Sequence, residues 1–140
     1  MNFRALFVAT VAALMSPTYA DLPSLDLCPV TKQIDALASL SSLSEDSYNQ
    51  CEFDSEFVLR KAKSLPSPAQ YKRMCNSIAC QTLMVNIKLL SLPNCVLKLP
   101  FSGLKINLFS YAEDFPGNCL VLQEKESAGS FQHTFSEILQ

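Results

Sequence analysis

The segment Ser64-Leu65-Pro66-Ser67-Pro68-Ala69-Gln70-Tyr71-Lys72-Arg73-Met74-Cys75-Asn76-Ser77-Ile78-Ala79-Cys80 decides the fold class. Ser67 stands where an N-cap belongs, Pro68 at the first helical position, and Gln70 three residues after the cap, where its amide can reach back to the cap nitrogen. A helix therefore starts at Pro68. Along it Tyr71, Met74, Cys75 and Ile78 fall at i, i+3, i+4 and i+7, so the pattern puts them on one face with Tyr71 pointing inward beside Cys75. The break at residues 64–67 ahead of this start reads as a loop.

Outward from this segment, the apolar positions Val30, Ile34, Leu37 and Leu40 or Leu43 predict a first amphipathic helix. A second, shorter helix is expected with Asp54 or Ser55 as cap, continuing through Phe57, Val58 and residues 60–63. Leu83, Ile87 and Leu90 mark another helical stretch near residues 80–90, closed by Pro93. After Cys95 the period changes to two: Leu104, Ile106 and Leu108 alternate with Lys105 and Asn107, and residues 96–99 supply a partner strand across Pro100-Phe101-Ser102-Gly103, a β-hairpin. Ser110 and Glu113 read as a second capping box, and Pro116-Gly117 is expected to stop that helix before Cys119. Residues 120–140 form a tail expected to be poorly ordered, although Phe131, Phe135, Ile138 and Leu139 can share a helical face.

The chain has 140 residues, six cysteines and a formal net charge of −2. Its first twenty residues carry Arg4, an apolar run from Ala5 to Leu14, and small residues at Thr18 and Ala20, the pattern of a signal peptide cleaved after Ala20. The apolar run is about half of the ~20 residues needed to span a bilayer. No lipid-anchor signal follows at the other end, so the expected location is extracellular. Residues 21–140 suffice for one domain. Ten basic against thirteen acidic residues then remain, a balance that gives no sign of nucleic-acid binding.

Cys28, Cys51, Cys75, Cys80, Cys95 and Cys119 form an even set in an exported chain and imply three disulfides, which sequence alone can arrange in 15 ways. Zinc is disfavoured because paired ligands at short spacing and supporting histidines are missing: Cys75 and Cys80 are the closest pair, and His133 is the lone histidine. No metal or cofactor is expected. The same inventory offers no catalytic constellation.

The spacing C-x22-C-x23-C-x4-C-x14-C-x23-C, with Ser64-Leu65-Pro66 and Gln70-Tyr71-Lys72 before the third cysteine, resembles the elicitins and elicitin-like proteins of oomycetes. Tyr48-Asn49-Gln50-Cys51, Ser102-Gly103-Leu104 and Ser110-Tyr111-Ala112 are similar to family segments, and the resemblance covers residues 1–119. It implies a mainly α fold: a small disulfide-braced helical bundle with a two-stranded hairpin and an Ω-loop enclosing a hydrophobic cavity. It also implies the pairing Cys28–Cys95, Cys51–Cys80 and Cys75–Cys119, and a sterol or other lipid as ligand. By similarity Tyr71 is the partner of the sterol hydroxyl, with Phe57, Leu59, Leu83, Ile87, Leu108 and Tyr111 as further lining. The implied function is a secreted sterol carrier that elicits plant defence, with a plant cell-surface receptor and transient contact with a membrane surface as further partners. The alternatives are an effector acting through receptor recognition without a working cavity, and a phospholipase-like enzyme.

Typical family members lack arginine, whereas Arg60 and Arg73 lie inside the matched region. Arg60 stands where an apolar residue is expected, at the start of the Ω-loop. The Arg60-Lys61-Ala62-Lys63 cluster reads either as a solvated helix face or as a group of charges that docks the cavity mouth on an anionic membrane.

Overall fold

The computed structural model describes residues 26–138, with side chains as far as residue 129. The signal-peptide segment lies outside the described residues. Within them the order is α1 (Val30–Ser41), α2 (Glu45–Ser55), α3 (Pro68–Asn76), α4 (Ile78–Leu89), β1 (Leu97–Lys98), β2 (Lys105–Ile106) and α5 (Leu108–Ile138). This is a mainly helical fold with a two-stranded antiparallel sheet and three disulfides.

The start of α3 follows from its cap. Ser67 Oγ accepts from the Gln70 backbone N–H, and the Gln70 side chain accepts from the Ser67 N–H, a complete capping box with proline behind it. The helix does not run on to Ile78. Ser77 breaks it with extended backbone and caps α4 instead, accepting from Cys80 N–H at 3.1 Å and donating to Asp54 Oδ2 at 2.6 Å. Ile78 therefore falls on the first turn of α4, 80% exposed, and not on the inner face shared by Met74 and Cys75. One serine thus sets the α3–α4 corner and ties it to α2.

The second helix is where the sequence reading goes astray. The helix occupies residues 45–55 and ends where one was expected to begin, while residues 57–63 form turns. Ser44 caps it, Glu45 and Asp46 complement the helix dipole in its first turn, and Glu56 leaves it in the left-handed region at φ 54°. That reversal starts the connection of residues 56–67, which is of Ω-loop length.

The hairpin pairs Leu97 with Ile106 and Lys98 with Lys105. Leu97 and Ile106 point into the core, and both lysines point out. The turn needs Gly103 at φ 73°, and its N–H donates to Leu99 O at 2.9 Å. The following helix is capped by Asn107, whose Oδ1 accepts from Ser110 N–H at 3.1 Å, not by Ser110. Glu113 pairs instead with Lys88 of α4 at 3.2 Å.

Pro116 and Gly117 do not end α5. The helix passes both and carries residues 120–138 with it, in place of a separate tail. Proline leaves the Ala112 carbonyl without its helical donor, but Cys119 is bonded to Cys75 on α3, and Lys72 forms an ion pair with Glu126 two turns further on. The stretch after Gly117 is rich in Leu, Gln, Glu, Lys and Ala, all good helix formers.

The core sits where α4 is covered by α2, α3 and α5. Leu83, Met84, Ile87, Met74, Leu97, Leu108 and Phe115 are among its most buried members. Cys51–Cys80 joins α2 to α4, Cys75–Cys119 joins α3 to α5, and Cys28–Cys95 ties the start of α1 to the segment before β1. Beside that last bridge, Cys28 N–H donates to Val96 O and Val96 N–H to Asp26 O, so the lead into α1 lies along the hairpin.

Candidate functional site

A cavity of about 260 Å³ opens between α1, the first half of α2, the Ω-loop and the hairpin turn. Leu37, Leu40, Ser41 and Leu43 form one wall, Glu45 and Tyr48 a second, Leu59 and Arg60 the Ω-loop side, and Leu99, Pro100, Phe101 and Leu108 the hairpin side. The walls are apolar because each element turns its leucines towards them. The α1 residues recur at i, i+3 and i+4, Leu99 lies just beyond β1, and Leu108 is the first residue of α5.

The polar groups collect at one edge. Tyr48 is buried and its hydroxyl donates to Leu40 O at 3.1 Å, which ties α2 to α1. Burial raises its phenol above the ordinary value, an effect that the neighbouring Arg60 charge opposes. The Arg60 guanidinium lies 5.0 Å from the centre of the Tyr48 ring, a cation–π distance. It also contacts Glu52 Oε1 at 3.3 Å and Glu45 Oε1 at 3.8 Å, and donates to Asn49 Oδ1 at 3.1 Å. Arg60 is therefore not a member of a solvated helix face; it folds back from the Ω-loop and clasps α2 at the cavity edge. Lys61 and Lys63 remain exposed. Arg73 holds the other end of the loop, with Nε donating to Ser55 O at 3.1 Å and Nη2 pairing with Glu56 at 3.0 Å, while the Gln70 amide donates to Glu56 O.

The seven lining candidates are divided by the structure. Leu59 and Leu108 line the cavity. Leu83 and Ile87 are packed into the core, and Phe57 is buried at the root of the Ω-loop, beside a shallower polar pocket with Lys61 and Lys63. Tyr71 and Tyr111 meet each other edge to face at 6.1 Å, and Tyr71 also lies 5.5 Å from Phe115. Neither tyrosine lines the cavity. The Tyr111 hydroxyl donates towards Met74 Sδ at 3.9 Å, and burial, then the Tyr71 phenol beside it, drive its ionisation far above the usual range. The Tyr71 oxygen accepts from Asn118 Nδ2 at 3.4 Å, and burial again raises its phenol. Sequence reasoning missed the α1 wall and Tyr48 as lining. The signal for the first is in the sequence, since Leu37 and Leu40 share one amphipathic stripe; for Tyr48 it is hidden, because Glu45–Ser55 has almost no apolar stripe to mark its helix.

A second, larger pocket of about 430 Å³, no more open than the first, lies between α4 and α5 beside the Cys75–Cys119 bridge, with Met84, Val85, Phe115 and Leu120 on its sides. It contains none of the candidate ligand residues.

Residues 27–119 match the family model described as Elicitin. The chain is 45% identical over 120 residues to beta-elicitin cryptogein of Phytophthora cryptogea, which spans 85% of this chain and 98% of that protein. It is 42% identical over 123 residues to highly acidic elicitin 20 of the same organism, covering 87% of this chain and 96% of the relative. Among solved structures it is similar to sylvaticin, described as a new secreted protein from Pythium sylvaticum, with a TM-score of 0.54 at 28% identity over 67% of this chain and 95% of that one.

Proposed function

The chain belongs to the elicitin family, and on that premise we propose that it is a secreted elicitor that carries a sterol or similar lipid in the cavity between α1, the Ω-loop and the hairpin. The observation that carries this reading is the cavity itself: leucine walls from three elements, bounded by two connecting segments that no disulfide spans locally. Such a space suits an apolar body with few polar atoms. The proposed activity is uptake and release, with no bond made or broken. Secretion is supported by the leader-like first twenty residues and the oxidised cysteines, and recognition by a plant cell-surface receptor completes the reading.

For the ligand's polar end the family resemblance nominates Tyr71. Its hydroxyl accepts one long contact from Asn118, which leaves the phenol's own proton to be donated to the oxygen of a ligand hydroxyl. The cavity is smaller than the ~300–1,000 Å³ usual for small-molecule sites. A ligand that touches both Leu59 and Tyr71 must therefore enlarge it, and the Ω-loop, held by side-chain contacts alone, is the part free to yield.

Native mass spectrometry of the purified oxidised protein after sterol loading tests the reading, with one bound sterol per chain expected. A fully disulfide-bonded protein that takes up no sterol or other lipid overturns it. In the same assay Tyr71→Phe should keep the fold and weaken retention; a fluorescent-sterol titration identical to wild type removes Tyr71 from the site.

A further inference from the structure

We propose that the rim of this cavity is a docking surface for an anionic phospholipid membrane, with Phe101 and the α1 stripe as the inserted groups and the hairpin lysines as the electrostatic anchor. The proposal rests on the reading of the cavity as a lipid site, and adds the surface from which lipid enters.

Phe101 stands at the hairpin turn 89% exposed, yet it borders the cavity. On α1, Val30 and Ile34 are 72% and 61% exposed. They continue, at i+3 and i+4 spacing, the stripe of Leu37 and Ser41 that forms a cavity wall. The helix and the hairpin are neighbours: Gln33 Oε1 accepts from Lys98 N–H at 3.4 Å, while the Gln33 amide donates to Cys28 O at 2.8 Å. The apolar stripe of α1 thus runs into the cavity wall at Leu37, and Phe101 borders the same mouth from the hairpin, the sort of exposed apolar groups that mark an interaction site.

Charge says what covers it. Residues 57–112 contain eight lysines and arginines and no aspartate or glutamate, in a chain whose net charge is −2. Arg60, Lys72, Arg73 and Lys88 are taken up in ion pairs, Arg60 with the rim's own Glu45 among them, which leaves Lys61, Lys63, Lys98 and Lys105 on the two segments that border the mouth. Lys98 and Lys105 face each other across the two strands and are both exposed, an arrangement of like charges that costs stability unless something anionic lies outside it. Lys61 and Lys63 are exposed on the Ω-loop. Aromatic and aliphatic groups set beside lysines suit a shallow seat among lipid headgroups. No helix among the described residues is long and apolar enough to cross a membrane, so the seat is peripheral.

Co-sedimentation with phosphatidylserine-containing and pure phosphatidylcholine vesicles tests this. The oxidised protein should partition at least about tenfold better into the anionic vesicles, and the preference should vanish at high salt. Phe101→Ser combined with Ile34→Ser should lower binding about tenfold, and Lys98→Glu combined with Lys105→Glu should remove the salt-sensitive part. All four positions are exposed, so the variants keep the fold, checked by an unchanged melting curve. Val85→Ser with Leu89→Ser, exposed apolar positions on α4, should bind as wild type. Absence of binding, equal binding to both vesicles, or rim variants that bind like wild type overturns the docking surface. Lipid uptake from detergent solution is measured in parallel: if it persists while docking fails, only the surface is wrong, and if it also fails, the cavity reading falls with it.

Discussion

At the cavity edge, one arginine side chain has found four partners. Arg60 lies over the Tyr48 ring, bonds Glu52 and Asn49 and approaches Glu45. The Glu52 side chain is only 15% exposed, so the pair is more shielded than a surface ion pair. Arg60→Leu should therefore cost about 1 kcal/mol of global stability and loosen the Ω-loop far more than it weakens the fold. Amide exchange at residues 57–66 should accelerate, and bound lipid should leave faster, with Arg60→Lys intermediate because it keeps the charge but loses the fork. A variant with wild-type exchange in that segment would show that the loop is held by other contacts. The buried phenols give a second expectation. Tyr111, Tyr71 and Tyr48 all ionise less readily in the folded chain, so their protonated forms favour folding. That contribution is complete below pH ~10, where the unfolded phenol titrates, and is lost as the pH rises from there until each folded phenol ionises in turn, Tyr111 contributing most because its shift is the largest. Urea unfolding at rising alkaline pH should show this decline, and Tyr111→Phe should make it shallower.

Among the elements, legibility tracked the strength of local chemistry. The α3 start was readable to the residue because Ser67, Pro68 and Gln70 together specify it, and the hairpin because its period of two is framed by a glycine turn. The α2 helix was not, since Glu45–Ser55 has almost no apolar stripe, while the Phe57-Val58-Leu59-Arg60-Lys61 stretch after it has helix-like composition but follows a left-handed Glu56. Serines misled twice in the same way: Ser77 interrupts a continuous periodicity, and Ser110 imitates a cap that Asn107 provides. Along α5, the proline and glycine are a true local stop signal overruled by a disulfide and an ion pair on the far side. The candidate site divided likewise: Leu59 and Leu108 reach the cavity, Tyr71 and Tyr111 face each other elsewhere, and the α1 wall needed the fold to be seen. Ser67→Ala tests the cap on which α3 depends. It should cost about 1 kcal/mol in denaturant midpoint, and a neutral result would mean that Gln70 and Pro68 alone set the helix start.

On the scale of the molecule, each helix of the α2–α5 packing unit has a bridge that ends on or beside it. Cys75 and Cys119 are 44 residues apart, and chain-entropy reasoning assigns such a loop about 4 kcal/mol, at the upper end of what bridges deliver. Replacing both by alanine should lower stability by about 2–4 kcal/mol in urea and release residues beyond 119 from α3, read as lost protection from exchange along α5. Retention of that protection would move the anchoring to Lys72–Glu126 and the Tyr71–Phe115 contact. The pairing itself was legible only through the family resemblance, because the spacing of six cysteines fits many arrangements.

Two of the covalent ties join helices to one another and the third fastens the root of the hairpin to the start of α1, which leaves the Ω-loop at the cavity mouth to side-chain contacts. Entry and exit of cargo therefore draw on a local opening that costs far less than unfolding. The molecule can be durable against proteases and still trade its contents quickly, because robustness and turnover reside in different parts of the same small body.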